Sequence, residues 1–414
     1  MHPPAKFLKR PRLAATCAIA ATICGGMAAC SSASSQSAAP AGLSGTTVGG
    51  QANAQYAAED AAAATSLAPA SGSFLAGKTT VTPLGSTTPV NGDINPYAIW
   101  AVTQTIGSVS KGDVLVDNFN NSSNNQGTGT TIVDMHPTGQ LSVFASLPST
   151  VSGCPGGVGL TTAMVQLKTG WVIVGSLPSP SGLIGTAGAG CLLVLSPQGK
   201  LAGTIAGAYI DGPWDAAVKD NGSTAELFVA NTLIGINGNS SDSANVDKGD
   251  VVRLTLAQSA TAAPKVTAET TVAAGYPERP DAAAFIKGPT GLALGPTGTL
   301  YVANNLGNAV DAVPDALTRA ASSTTGTVLT SGGQLANPLG LALAPDGDVL
   351  AANSTNGKIV EITASGKQAG EYYADDDIGQ EPPGNGDLFD VAVDQAGSGV
   401  LFVNDGTNTL ELLH

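Results

Sequence analysis

Histidine and cysteine, the side chains that most often carry nucleophilic or metal chemistry, are scarce here: three His and five Cys in 414 residues. His2 lies near the start, His136 sits in a His-Pro-Thr-Gly turn, and His414 ends the chain. No Ser-His-Asp set is recognisable around them. Chemistry would fall to oxygen ligands. Asp215 and Asp390 stand where corresponding positions elsewhere in the chain have Gly. They could share a divalent cation such as Ca2+, or be held as structural groups by backbone amides. Asn118, Asn231, Asn304, Asn353 and Asn404 recur at the ends of apolar runs. A ring of Asn could hold a cation or sugar hydroxyls. Each could equally close its own turn by bonding nearby backbone. Asp375-Asp376-Asp377 reads as a solvated loop, because a calcium loop alternates its oxygens.

A repeat explains why those positions recur. Gly291-Leu-Ala-Leu294 then Tyr301-Val-Ala-Asn304, Gly340-Leu-Ala-Leu343 then Leu350-Ala-Ala-Asn353, and Asp390-Val-Ala-Val393 then Leu401-Phe-Val-Asn404 align. The three Asn are 49 and 51 residues apart. Each unit reads as an apolar strand, a Pro/Asp/Gly turn, a second strand, an Asn/Gly turn and a third strand, which is the pattern of β-propeller blades. With 53 Gly, 25 Pro and no long amphipathic helix, the chain reads as all-β. Fainter units cover Pro96–Leu147, Cys154–Ile205 and Pro213–Ala274, making a six-bladed β-propeller. The last unit stops after its third strand. An N-terminal segment within Lys78–Leu84 is expected to supply the missing outer strand, since an unclosed ring exposes edges.

In such a blade the d–a and b–c connections share one face. Residues entering each first strand would line the channel mouth there: Tyr97, Thr162, Trp214, Thr290, Leu339 and Phe389. The connections 118–129, 176–190, 231–249, 276–287 and 374–386 are long and fall on that face, which marks it as the binding surface. Cys154 and Cys191 fall there too and are expected to form a disulfide.

The unit Asn337-Pro-Leu-Gly-Leu-Ala-Leu-Ala-Pro-Asp-Gly-Asp348 through Ala351–Ile362 resembles an NHL repeat. More broadly it is similar to the gluconolactonase/regucalcin and streptogramin-lyase-like six-bladed propellers. The lactonase relatives carry a metal-binding Asn in a Pro-Asn-Gly motif, where this chain has Pro289-Thr-Gly291 and Pro338-Leu-Gly340. The amidating lyases of this fold use a multi-histidine zinc site that three scattered His cannot build. The resemblance implies the fold; the function it implies is open, because this fold carries enzymes and binding modules alike.

The first thirty residues read as an export signal. Lys6, Lys9, Arg10 and Arg12 precede a short apolar run and Met27-Ala-Ala-Cys30. The motif resembles a bacterial lipobox with Cys30 as the lipidated residue, though Met27 leaves ordinary cleavage open. Residues 30–75, rich in Ser, Ala and Gly, read as a disordered tether, and 76–414 as the propeller. Removing 1–29 takes four of 17 basic residues and no acids, leaving 13 basic and 31 acidic residues, a net charge of −18. That excludes a nucleic-acid partner, which needs clustered Lys and Arg. The expected protein is a monomeric envelope lipoprotein, placed by its Ser31 at the outer membrane and facing periplasm or surface. It would touch the membrane through its anchor only and bind a protein, glycan or small molecule without a cofactor. The competing reading is a metal-dependent hydrolase of the lactonase type.

Overall fold

The structure, a computed structural model, describes Pro69 and residues 72–154, 156–179, 189–232, 244–281, 285–377 and 379–414. The signal segment 1–29, Cys30 and nearly all of the tether lie outside the described residues. Among the described residues no helix is long and apolar enough to cross a membrane.

Six antiparallel sheets succeed one another along the chain, with strands a to d running from the axis outward. Blade one comprises Ile94–Ala101, Val114–Asn120, Thr131–Met135 and Leu141–Ser146. Blade two comprises Leu160–Gln166, Val172–Ser176, Cys191–Leu195 and Leu201–Ile205. Blade three has Pro213–Asp220, Thr224–Asn231, Val246–Ser259 and Ala262–Asp281, with Phe285–Lys287 added outside. Blade four has Pro289–Leu294, Leu300–Asn304, Ala309–Val313 and Thr327–Ser331. Blade five has Pro338–Leu343, Val349–Asn353, Lys358–Ile362 and Gln368–Tyr373. Blade six takes Leu388–Val393, Val400–Asn404 and Thr409–Leu413 from the C-terminus and its outer strand, Val81–Ser86, from the N-terminus.

The first strands touch in sequence around the axis, and strand a of blade six returns to strand a of blade one, so the ring is closed. Between neighbouring blades lies an apolar layer. Ile132, Leu115 and Phe144 of blade one meet Met164, Val174 and Leu193 of blade two, and the pattern continues round the ring. The inner strands are therefore buried on both faces and read as continuous apolar runs rather than strict alternation.

Closure uses Val81 opposite Leu413 and Ser86 opposite Thr409, with a bulge between Pro83 and Gly85. Proline lacks a ladder donor, and an outer edge is where a strand tolerates that. The packed chain reaches further back than residue 76. Leu75 is fully buried against blades five and six, and Glu361 accepts the N–H groups of Phe74 at 2.6 Å and Leu75 at 2.8 Å.

Blade three differs from the sequence reading, which ends it near Ala274 and leaves 276–287 as a loop. Its outer strand runs on to Asp281 and folds back, with Arg279 opposite Lys287 and Asp281 opposite Phe285. Tyr276, Phe285 and Ile286 are all fully buried there. Burying them requires their backbone polar groups to be paired, and the hairpin does that.

Deleting residues 76–90 should lower the thermal midpoint by more than about 5 °C, roughly what 3–4 kcal/mol gives in a domain this large. Deleting 31–68 should leave it unchanged. Thermal melts followed by circular dichroism check this, and equal midpoints for the two deletions would contradict the closure.

Candidate functional site

The six first strands enclose a central cavity of about 320 Å³. Ile99, Met164, Leu292, Leu341 and Val391 give it apolar walls, and Asp215 and Asp390 are its acids. One end is filled by aromatic rings. Tyr97 stacks on Phe119 and on Phe389, both with centroids 4.3 Å apart. Trp214 meets Tyr97 edge-on at 5.9 Å and stacks on Phe285 at 6.2 Å. Leu339 completes this buried cluster. Four of the residues expected at the channel mouth thus form a plug that closes the channel toward the d–a and b–c connections. The other two stitch blades together: Thr162 donates to the carbonyl of Trp214, and Thr290 to that of Pro338 at 3.3 Å. At the opposite end Leu294, Leu343 and Val393 are half-buried and Thr103 is exposed, so the cavity opens toward the a–b turns. Phe119 and Phe285 complete the plug without a sequence pattern that marks them. Their signal is faint: two isolated aromatics among only eight Phe.

Asp215 and Asp390 are each bonded through both carboxylate oxygens. Asp215 accepts the N–H of Ala216 and, across the seam to blade four, that of Leu292, both at 2.7 Å. Asp390 accepts Val391 N–H at 2.8 Å and, across the seam to blade one, Ile99 N–H at 2.9 Å. Blades four and five have Gly at this level because the next strand passes too close: a Cβ on Gly340 would lie 2.6 Å from the Phe389 carbonyl oxygen. Asp117 in strand b of blade one adds a third carboxylate, accepting Ala98 N–H at 2.9 Å. Burial pushes all three carboxyls well up from the usual range. The Asp390 charge raises Asp215 further, while the amides of Leu292 and Ala216 pull the other way. Among the described residues no Lys or Arg lines the cavity. The pair can therefore act as neutral hydrogen-bonding stitches or, with remaining lone pairs, share a cation.

The five Asn do not hydrogen-bond one another among the described residues. Asn118 donates to Thr87 O at 3.1 Å, Asn231 to Tyr209 O at 3.0 Å, Asn353 to Gln334 O at 2.8 Å and Asn404 to Asp375 at 2.7 Å. Each of these ties down the connection entering its own blade. Asn304 accepts Gly307 N–H at 3.0 Å and closes its own turn. Of the acidic run, Asp376 and Asp377 are exposed while Asp375 anchors Asn404.

Cys154 and Cys191 form a disulfide with Cα atoms 5.4 Å apart. It sits at the edge of a groove of about 830 Å³ on the d–a/b–c face. Asn121, Thr128, Ser149, Thr150 and Ser152 line the groove together with Cys154 and flanking glycines. Much of 176–190 and 231–249, two of the long connections, lies outside the described residues.

The architecture has known counterparts. Virginiamycin B lyase from Staphylococcus aureus is 17% identical, with TM-score 0.46 over 81% of this chain and 85% of that one. A gluconolactonase from Xanthomonas campestris is 12% identical, with TM-score 0.48 over 84% and 97%. Regucalcin from Agrobacterium tumefaciens, a calcium-binding protein, is 12% identical, with TM-score 0.46 over 80% and 92%. No protein-family model matches the chain, and no curated protein matches it either.

Buried acids set the expected response to pH. Burial pushes Asp405 up to about 7, and burial, then the charge of Asp375, pushes Asp387 up to about 8. A carboxyl whose folded pKa is raised holds its proton more tightly folded than unfolded. Its contribution is complete below the unfolded value near 4 and is lost as pH rises through the folded value. The thermal midpoint should therefore fall between about pH 5 and about pH 8, and Asp405→Asn should flatten that fall. A midpoint that rises over this range would contradict the assignment.

The disulfide closes a loop with a sequence separation of 37. Replacing both cysteines by Ser should cost about 3–4 kcal/mol on the chain-entropy account, read by urea unfolding. Thiol labelling of the denatured, unreduced chain should find neither Cys154 nor Cys191; free thiol at both would refute the bridge in solution.

Proposed function

We propose that the protein is an exported, lipid-anchored propeller that binds a protein, glycan or small molecule on its d–a/b–c face. The observation that carries this reading is the engagement of Asp215 and Asp390. All four of their oxygens already accept backbone amides, two of them across seams. The residues a channel metal would need first are thus working as part of the ring. From the loop face the channel is closed by the Tyr97–Trp214–Phe389 plug, so a ligand approaching there meets a surface. The groove beside the disulfide supplies hydroxyls, an amide and glycine backbone, the groups that pair with sugar hydroxyls or an extended peptide. Export is supported by the basic and apolar leader before Cys30 and by a disulfide, which persists in oxidising compartments.

A second reading, a metal-dependent hydrolase of the lactonase type, is favoured by one feature. Two carboxylates converge on one cavity without a basic partner. A bound cation would supply Lewis acidity toward an ester carbonyl. Asp215 and Asp390 would hold it, and the apolar walls would keep water out.

Two experiments separate these readings. The full chain is tested against immobilised glycan and peptide panels. Any ligand retained should be lost on Thr150→Trp, which fills the groove, and kept by the Asp215→Asn/Asp390→Asn double variant. Stoichiometric calcium, with lactone hydrolysis abolished by chelation and by the double variant, would overturn the binding reading. Lipid anchoring predicts incorporation of a palmitate analogue in cells that disappears in Cys30→Ala; equal labelling of the two would contradict it.

A further inference from the structure

On the opposite face, apart from both the groove and the channel, three side chains of blade one converge. Asp134 lies in strand c and His136 just beyond its end. Two residues apart on an extended chain, they point to the same side. Strand b pairs Val114 with Met135, so Asp113, the residue before Val114, lies across from His136. One donor atom from each of the three falls within 4.8 Å of the others. Asp113 Oδ1 is 3.0 Å from His136 Nδ1, a direct hydrogen bond that already brings the two donor atoms together, and a cation would take the place of the shared proton. The second Asp113 oxygen accepts Ser110 N–H at 2.7 Å, which fixes the carboxylate plane.

Asp134 supplies the independent observation. It is 2% exposed, and its Oδ1 is buried without a hydrogen-bond partner. Leaving a carboxylate oxygen so placed is expensive unless a proton or cation sits on it. Blade five shows how this fold otherwise satisfies the position. There Leu350 pairs with Glu361 as Leu115 pairs with Asp134, and Asp348 precedes strand b as Asp113 does. Glu361, however, accepts two backbone N–H groups from Phe74 and Leu75. Among the described residues blade one has no such segment seated on it, and it carries His136 where blade five has Thr363.

We propose that Asp113, Asp134 and His136 bind a divalent transition-metal ion, with Zn2+ or Co2+ as suitable occupants. Two carboxylates and one imidazole suit such ions, whereas Ca2+ and Mg2+ favour all-oxygen shells. His136 and Asp113 also line a cavity of about 280 Å³ beside Met135 and Leu412, which leaves water access to the ion. The ion ties the end of strand c to the start of strand b and neutralises the buried Asp134.

The test is titration of the purified full chain with Co2+, followed by its visible absorption bands and by equilibrium dialysis. One equivalent should bind, and Zn2+ should displace it. Asp134→Asn and His136→Gln should each weaken binding at least tenfold, while Asp215→Asn/Asp390→Asn should bind as the parent does. His136 is partly exposed, so His136→Gln should keep the metal-free thermal midpoint of the parent, which separates loss of a ligand from loss of the fold. Absence of saturable binding to the parent, or undiminished binding by both single variants, would overturn the proposal. Loss of binding only in the Asp215/Asp390 variant would place the ion in the channel instead.

Discussion

A propeller is a ring of wedges, and it holds only if each seam between wedges is satisfied on its polar as well as its apolar side. Apolar layers fill every seam, but the first strands also bring backbone amides to the axis that need partners. Two seams solve this with a buried carboxylate: Asp215 reaches from blade three to blade four, and Asp390 from blade six to blade one. The second lies at the junction where the chain's two ends meet. An orphaned buried amide costs about 1–3 kcal/mol, comparable to a substantial part of a domain's net stability. The carboxylates in turn are held in an apolar cavity without a basic partner, which drives them toward the neutral form.

Much of this was legible in the sequence, and the reason is local. Strand, turn and strand recur within about fifty residues, so the repeat Gly-Leu-Ala-Leu…Asn announces blades four and five directly. The missing outer strand of blade six follows from counting strands before His414, and Val81–Ser86 fills it. The Cys154–Cys191 bridge follows from two cysteines placed on one face of one blade.

What escaped depends on residues that meet only in three dimensions. Tyr97, Trp214, Leu339 and Phe389 were legible as channel positions, but not as a plug. Sealing the channel requires Phe119 from the end of a second strand and Phe285 from a link between blades, and no local pattern ties them to the axis. The hairpin of blade three was hidden because 276–287 reads as a long connection between repeats, with no repeat pattern of its own. The pairing of Asp281 with Phe285 overrides that reading through burial. The Asp113–Asp134–His136 group was similarly divided among a strand start, a strand interior and a turn, and only pairing across strands b and c assembles it.

These features divide the molecule into a loop face with a polar groove, a sealed aromatic layer, and a cavity open toward the a–b turns. Whether the molecule binds or catalyses turns on the state of the two carboxylates at the cavity's centre. The most direct measurement is carbon-13 NMR of aspartate side-chain carboxyls, with Asp215 and Asp390 assigned by single Asn substitutions, across a pH titration with and without calcium. The account predicts that both titrate above the usual carboxylate range and that added calcium leaves their signals in place. Two ionised carboxylates titrating in the ordinary range, with signals that shift together on adding one equivalent of calcium, would contradict it.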